Sequence, residues 1–195
     1  MALTYSRMVD LAMQAPPFDL PTANPAIDDL DKPTRSLDDY AGAKVLVVVF
    51  TCNHCPYARH VEDALIRFAR DCSGRGVQVV AICSNDAEAY PEDSFERMAA
   101  RAAAKSYPFP YLHDATQSVA RAYQAVCTPD VFVFDAGRRL AYRGRIDETR
   151  PGQGTATAAD LRQAVDELLA SGTVTMEQVP SMGCNIKWKP GNEPQ

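Results

Sequence analysis

Residues 45–56 read VLVVVFTCNHCP, and this stretch does most to restrict what the chain can fold into. Val45 to Phe50 run without a polar interruption and are mostly β-branched. That is the pattern of a strand buried on both faces, as at the centre of a parallel sheet. The run stops at two cysteines separated by two residues, Cys52 and Cys55. Beyond them Tyr57, Val61, Ala64, Leu65, Phe68 and Cys72 recur at steps of three and four, which is one apolar stripe of a helix. Glu62, Asp63, Arg67, Arg70 and Asp71 mostly fall on the opposite face. The cysteine pair therefore sits where a buried strand hands over to a helix N-terminus.

That location has a chemical consequence. The first turn of a helix has unpaired N–H groups and the positive end of the macrodipole, and both favour a thiolate. A cysteine there can have its pKa lowered from about 8.5 into the range of roughly 3.5–7.5. The expected arrangement has Cys52 exposed at the helix start as nucleophile, with Cys55 one turn on and more buried. Cys52 attacks a disulfide, and Cys55 resolves the mixed disulfide. His54 can be cationic and adds to the bias toward thiolate. Such a pair is more oxidising than one with a neutral, apolar spacer. Pro56 has no backbone N–H, so the first helical turn is expected to be slightly irregular.

Other uses of paired cysteines fit less well. Closing so short a loop removes little chain entropy, which argues against a structural disulfide. A zinc site needs two further ligands, usually a second close pair, and Cys72, Cys83, Cys127 and Cys184 stand alone. Covalent haem attachment needs a histidine directly after the second cysteine, where this chain has Pro56.

A length of 195 residues suits a single domain with extensions. A formal net charge of -5 argues against a nucleic-acid or anionic-membrane partner. The opening MALTYSRMVDLAMQAPPFDL lacks a long apolar segment behind a basic start. No apolar run reaches the ~18 residues of a membrane span, so neither a signal peptide nor a span is expected. The chain then reads as cytoplasmic, where thiols stay reduced, and its six cysteines are not a disulfide framework.

Along the chain, residues 1–15 read as a short amphipathic helix with Met8, Leu11 and Ala12 inward, ended by Pro16 and Pro17. Phe18 to Pro21 read as a short strand, residues 22–33 as a loop, and Thr34 to Leu37 as a strand pairing back. Ser36 is placed to cap a short turn through Tyr40. Val77 to Cys83 is a second apolar strand. A helix is expected from near Pro91, with Glu92 and Asp93 complementing its dipole, to about Lys105. Then come a strand over Phe109 to Leu112, a helix over Thr116 to Gln124, and a strand over Asp130 to Phe134. Asp135-Ala136-Gly137 is a hairpin turn, and Arg139 to Ile146 the returning strand. The last helix spans Thr157 to Ala170. The fold class is α/β: a central mixed sheet flanked by helices, in a single domain over 1–195. Residues 1–43 form an N-terminal extension carrying the hairpin, and 172–195 form a C-terminal tail.

The cysteine pair after a buried strand, Thr128-Pro129 just before DVFVF, the hairpin and the closing helix together resemble the thioredoxin fold. PPFDLP and the extra segment over 85–115 resemble its redoxin branch, which includes the alkyl hydroperoxide reductase/thiol-specific antioxidant (AhpC/TSA) proteins. FTCNHCPY, AYPEDSFERM, FPYLHD, VCTPDVFVFD, YRGRID and the tail GCNIKWK resemble a set of cytoplasmic redoxin-domain proteins over nearly the whole chain. The resemblance implies that Cys52 attacks and Cys55 resolves. It also implies that Pro129 is cis, and that Thr128 offers its backbone to an extended substrate peptide by strand addition. The chain departs from the thioredoxin pattern in three ways. Thr51 replaces the usual tryptophan, Asn53-His54 replaces a Gly-Pro spacer, and no buried acid is assignable as proton acceptor for the resolving cysteine. The peroxiredoxin signature, a proline and a threonine or serine just ahead of one cysteine, is not met.

Cys184 stands beside the chain's one tryptophan in a polar tail, and a tail folded back would let it exchange with Cys127 or with the active pair. Its alternative is an inert thiol in a tail anchored by Ile186 and Trp188. Cys72 and Cys83 read as core. Cys127 reads as buried, with a redox role as its alternative. His60 reads as a helix-surface residue, His113 as a strand end, and Arg143 and Arg145 as an exposed sheet edge. The expectation is a thiol–disulfide oxidoreductase whose cofactor is its own Cys52–Cys55 pair. It exchanges with a protein or small-molecule disulfide and an unidentified thiol donor, as monomer or homodimer, with no metal. The alternatives are an antioxidant thiol peroxidase of peroxiredoxin type and a copper-handling module of thioredoxin fold.

Overall fold

The computed structural model describes residues 3–27, 30 and 32–194. Its strands and helices in chain order are β1 (Leu3–Tyr5), β2 (Asp19–Pro21), β3 (Thr34–Ser36), β4 (Val45–Phe50), α1 (Pro56–Asp71), β5 (Val77–Cys83) and α2 (Phe95–Lys105). There follow β6 (Tyr111–His113), α3 (Ser118–Tyr123), β7 (Cys127–Thr128), β8 (Asp130–Phe134), β9 (Leu140–Gly144), α4 (Ala159–Ser171) and β10 (Met182–Asn185). The main sheet has the order β6-β5-β4-β8-β9. β4 is parallel to β5 and antiparallel to β8, so the sheet is mixed with β4 at its centre. Every residue of β4 is buried, as its unbroken apolar run requires.

Alternation along β4 separates two cores. Val45, Val47 and Val49 face α1 and α4, packing with Val61, Leu65 and Phe68 and with Leu161, Val165 and Leu168. Leu46, Val48 and Phe50 face α3 and the N-terminal extension, packing with Tyr123, Phe18 and Leu20. On that second face Tyr123 lies edge-on to Phe50 and Phe132, at ring-centroid distances of 5.4 and 5.3 Å.

The β2–β3 hairpin forms as expected, with Leu20 opposite Arg35. Asp39 accepts from both the N–H and Oγ of Ser36, which closes the short turn at Tyr40. Residues 28, 29 and 31 of the loop expected over 22–33 lie outside the described residues, as do residues 1, 2 and 195.

Four expectations need correction. Residues 3–15 hold no helix: Leu3–Tyr5 is a strand, and Met8 and Leu11 are exposed. The backbone here bonds to distant chain instead, with Ala12 N–H donating to Leu140 O and Leu140 N–H to Met13 O, both at 2.8 Å. The helix expected from Pro91 begins at Phe95, because Ser94 is extended (ψ 156°) and its Oγ caps Arg97 N. Pro91–Asp93 forms a separate turn that buries Asp93. Glu62, assigned to the polar face of α1, is buried and takes bonds from Arg101 and Tyr107. Arg143 is fully buried on β9 against Asp130, not on an exposed edge.

Candidate active site

Thr51 continues β4 by one bond, donating its N–H to Ile82 O at 2.8 Å. The chain then bends at Asn53 and His54, and Cys55 is the N-cap of α1. Cys52 thus precedes the helix, and Cys55 holds the end position that the periodicity had given to Cys52. Neither sulfur is freely exposed: Cys55 is 0 % accessible and Cys52 5 %. Both are reduced. Pro56 occupies the first helical position, where a missing N–H costs nothing.

Thr128 closes the pair from above, across a cis peptide bond to Pro129. Its Oγ1 lies 3.4 Å from Cys52 Sγ, and its carbonyl accepts from Cys55 Sγ at 3.1 Å. The two thiols are tuned in opposite directions. Cys55 is lowered from 9.0 to about 4, chiefly by the Cys52 S–H and further by the Cys184 S–H, the Ala58 amide and Thr128, against the opposing effect of burial. Cys52 is pushed well above the usual thiol range by that same bond, by burial and by the charge of Asp93. Cys55 therefore has donors aimed at it as a thiolate and an acceptor, Thr128 O, when it carries the proton.

This asymmetry fixes a pH dependence. Between pH 4 and 9 unfolded Cys55 binds a proton that folded Cys55 does not, so stability of the reduced protein rises with pH across that window. Above it, folded Cys52 keeps a proton that the unfolded chain loses, and stability falls again. Urea midpoints of the reduced protein should climb through this window, and the climb should shrink in Cys55→Ser. An equal climb in the variant would contradict the assignment.

One buried carboxylate organises the spacer. Asp93 Oδ1 accepts from Asn53 N–H at 2.7 Å, and Oδ2 accepts from His54 Nδ1 at 2.5 Å and from Asn85 Nδ2 at 2.7 Å. Burial pushes Asp93 up, but its bonds to His54, Asn85 and Asn53 leave it below the ordinary range. His54 is raised, first by its bond to Asp93, and its ring stacks on Tyr90 at 5.2 Å. The imidazolium bonds to Asp93 and also attracts a Cys55 thiolate, whereas the charge of Asp93 disfavours ionisation of Cys52. Asp93 is the residue that sequence reasoning missed. In PEDSF it looks like a helix-start acid, and no local signal marks it as buried.

The tail supplies a third thiol. β10 pairs antiparallel with β7, with Cys184 opposite Thr128 and Asn185 opposite Cys127. Cys184 is buried and donates its S–H to Cys55, while burial and that bond hold its own pKa up at about 12. Ile186 is buried and Trp188 packs on the second core, so both anchor the tail. Cys127 is not drawn into the pair: it is fully buried, its thiol faces Pro129 O at 3.7 Å, and burial keeps it protonated. Among the described residues the cluster with three metal-capable donors is Cys52, His54 and Asp93. It offers one thiolate, and its histidine is already bonded to its carboxylate, a poor match to the thiol-rich sets that soft Cu(I) prefers.

The AhpC/TSA family profile matches residues 11–143. The chain belongs to the AhpC/TSA family. No curated protein matches it in sequence. Among solved structures, this AhpC/TSA chain is similar to a hypothetical protein of Sinorhizobium meliloti 1021, at 46% identity and TM-score 0.90, over 96% of this chain and 100% of that one. It is equally similar to an uncharacterized conserved protein of Geobacillus kaustophilus, at 46% and 0.90 over 98% of each chain. A putative thiol:disulfide interchange protein DsbE of Chlorobium tepidum shares the thioredoxin-like fold at 21% identity and TM-score 0.63, over 84% of this chain and 100% of that one. The AhpC/TSA match and the fold go with a thiol redox role. Among the described residues no helix is long and apolar enough to cross a membrane.

Proposed function

We propose that this protein is a thiol–disulfide oxidoreductase working through Cys52 and Cys55. The observation that carries the reading is two cysteine sulfurs held together against Thr128 at the junction of β4 and α1, Cys52 Sγ 3.4 Å from its Oγ1 and Cys55 Sγ 3.1 Å from its carbonyl oxygen. The proton of Cys52 passes to Cys55, and the Cys52 thiolate attacks one sulfur of a substrate disulfide. A Cys52–substrate bond forms, the substrate S–S bond breaks, and the leaving thiolate takes the proton from Cys55. Cys55 then attacks Cys52 Sγ, releasing the second substrate thiolate and leaving the Cys52–Cys55 disulfide. The substrate gains two electrons and the pair loses two. A thiol donor, in a reducing compartment such as the cytoplasm, returns the pair to the dithiol.

The test compares oxidants on the reduced protein. A disulfide should oxidise the pair quickly, with peptide mapping finding the Cys52–Cys55 bond. Hydrogen peroxide should react no faster than with an ordinary thiolate, because burial, the bond to Cys55 and the charge of Asp93 hold Cys52 in its protonated form. A peroxide rate far above that level, with sluggish disulfide exchange, would move the assignment to a thiol peroxidase. Tight Cu(I) binding at the pair, without exchange, would move it to copper handling.

A further inference from the structure

The backbone edge that a thioredoxin-like fold could present to an extended peptide is taken here by the protein's own chain. β10 lies between β1 and β7, with Leu3 opposite Cys184 on one side and Thr128 opposite it on the other. The contact with β7 is close: a Cβ on Gly183 would stand 1.9 Å from Thr128 O and 3.2 Å from Pro129 Cδ, so only glycine allows it. Bonds continue beyond the strand on both sides. Ile186 N–H donates to Val126 O at 3.0 Å, and Lys187 is held through Asn85 Oδ1, Asp86 N–H and Gln117 Nε2. Upstream, Ser181 Oγ donates to Gly144 O and Arg145 N–H to Val179 O, both at 2.8 Å. The strand even delivers a cysteine, Cys184, to the pair. What remains open is the narrow access to Cys52, 5 % of whose surface meets solvent.

We propose that β10 is a specificity element, a resident strand on the β7 edge that confines exchange at Cys52 to low-molecular-weight disulfides. Extended polypeptide disulfides cannot bind by strand addition while it is in place. The inference rests on the thiol–disulfide reading above and names its substrate class. Recognition by a free sheet edge draws its affinity from main-chain bonds, and here those bonds are already made. A small disulfide needs no such edge. It needs in-line approach to one sulfur.

The experiment uses the full chain, with dithiothreitol as donor, and two probes bearing the same reactive bond. One is the mixed disulfide of cysteine and glutathione; the other is a ten-residue unstructured peptide whose central cysteine carries the same glutathione. The wild type should show a kcat/KM for the small mixed disulfide about tenfold or more above that for the peptide. Gly183→Ala, which forces β10 off Thr128, should raise the ratio of the peptide value to the small-disulfide value by about tenfold or more, whatever it does to the two values together. Ile186→Ala, which removes the buried anchor beyond β10, should move the ratio the same way and serves if the glycine variant does not fold. A wild-type kcat/KM for the peptide that comes within about tenfold of the small-disulfide value, or exceeds it, would overturn the proposal. So would an unchanged ratio in a folded variant whose β10 amides have lost hydrogen-exchange protection. If neither probe reacts above the Cys52→Ser background, the oxidoreductase reading falls and this inference with it; fast turnover of the peptide alone removes only this inference.

Discussion

Cys52→Ser should lower kcat/KM for disulfide exchange by at least about 1,000-fold, whereas Cys55→Ser should complete the first half-reaction and stop with substrate bonded to Cys52. The two variants separate two effects that pull apart in this site. Thiolate character favours Cys55, whose pKa lies at about 4. Access favours Cys52, since Cys55 is 0 % exposed and shielded by Thr128 and Cys184. Thiol–disulfide exchange needs the attacking sulfur in line with the S–S bond, and a sulfur with no exposed surface cannot reach that line. In the proposed mechanism access therefore decides, with Cys55 acting first as the base for Cys52 and then as the resolving group. Mass spectrometry of the two variants after a single addition of oxidised glutathione gives the answer. An adduct on Cys55 in Cys52→Ser, with none on Cys52 in Cys55→Ser, would reverse the roles.

Arg143→Met should destabilise the protein by about 3–5 kcal/mol, the usual cost of leaving one partner of a buried ion pair alone. Asp130 and Arg143 are both 0 % exposed, and the guanidinium meets the carboxylate with two nitrogens, one bond measuring 3.0 Å and the other shorter. The same guanidinium donates to Arg7 O and lies 3.7 Å from the centroid of the Phe132 ring. Burial outweighs the pull of Arg143 and leaves the Asp130 carboxyl above its ordinary range, so the ion pair is poorly repaid for its desolvation. A second substitution, Asp130→Leu, should therefore restore part of the loss. Urea denaturation of the reduced protein reads both, with the midpoint moving and the slope held. A loss below about 1 kcal/mol for the single variant would show that water reaches the pair.

The parts of this molecule that were legible in the sequence are those whose signal is local. Val45 to Phe50 announce a buried strand by their own composition, and β4 is such a strand. Asp130 to Phe134, the turn and the returning strand form the hairpin as expected, and Thr128-Pro129 stands against the cysteines. The illegible parts depend on chain that is distant in sequence. Asp93 reads as an ordinary acid at a helix start, and its burial follows from Ser94, which starts α2 four residues late, at Phe95, and turns the carboxylate toward Asn53 and His54. Arg143 alternates correctly for a strand, but its burial is set by Asp130 and by the N-terminal chain at Arg7. The tail has the Pro, Gly and polar content of a loop, and β10 exists because β1 and β7 offer edges on either side.

The β1-β10-β7 arrangement also sets an order of assembly during synthesis. The sheet from β4 to β9 can form as soon as residue 144 has emerged, and at that stage β7 presents an unpaired edge beside Cys52 and Cys55. Residues 182–187 follow later, after an interval of several seconds at roughly 5–20 residues per second. Through that interval the nascent chain is an open-edged dithiol protein, with the strand-pairing hazard such an edge carries. The arrival of Gly183 and Cys184 closes that edge and sets the Cys184 thiol against Cys55 in one step, so the thiol pair has different neighbours before and after the tail emerges.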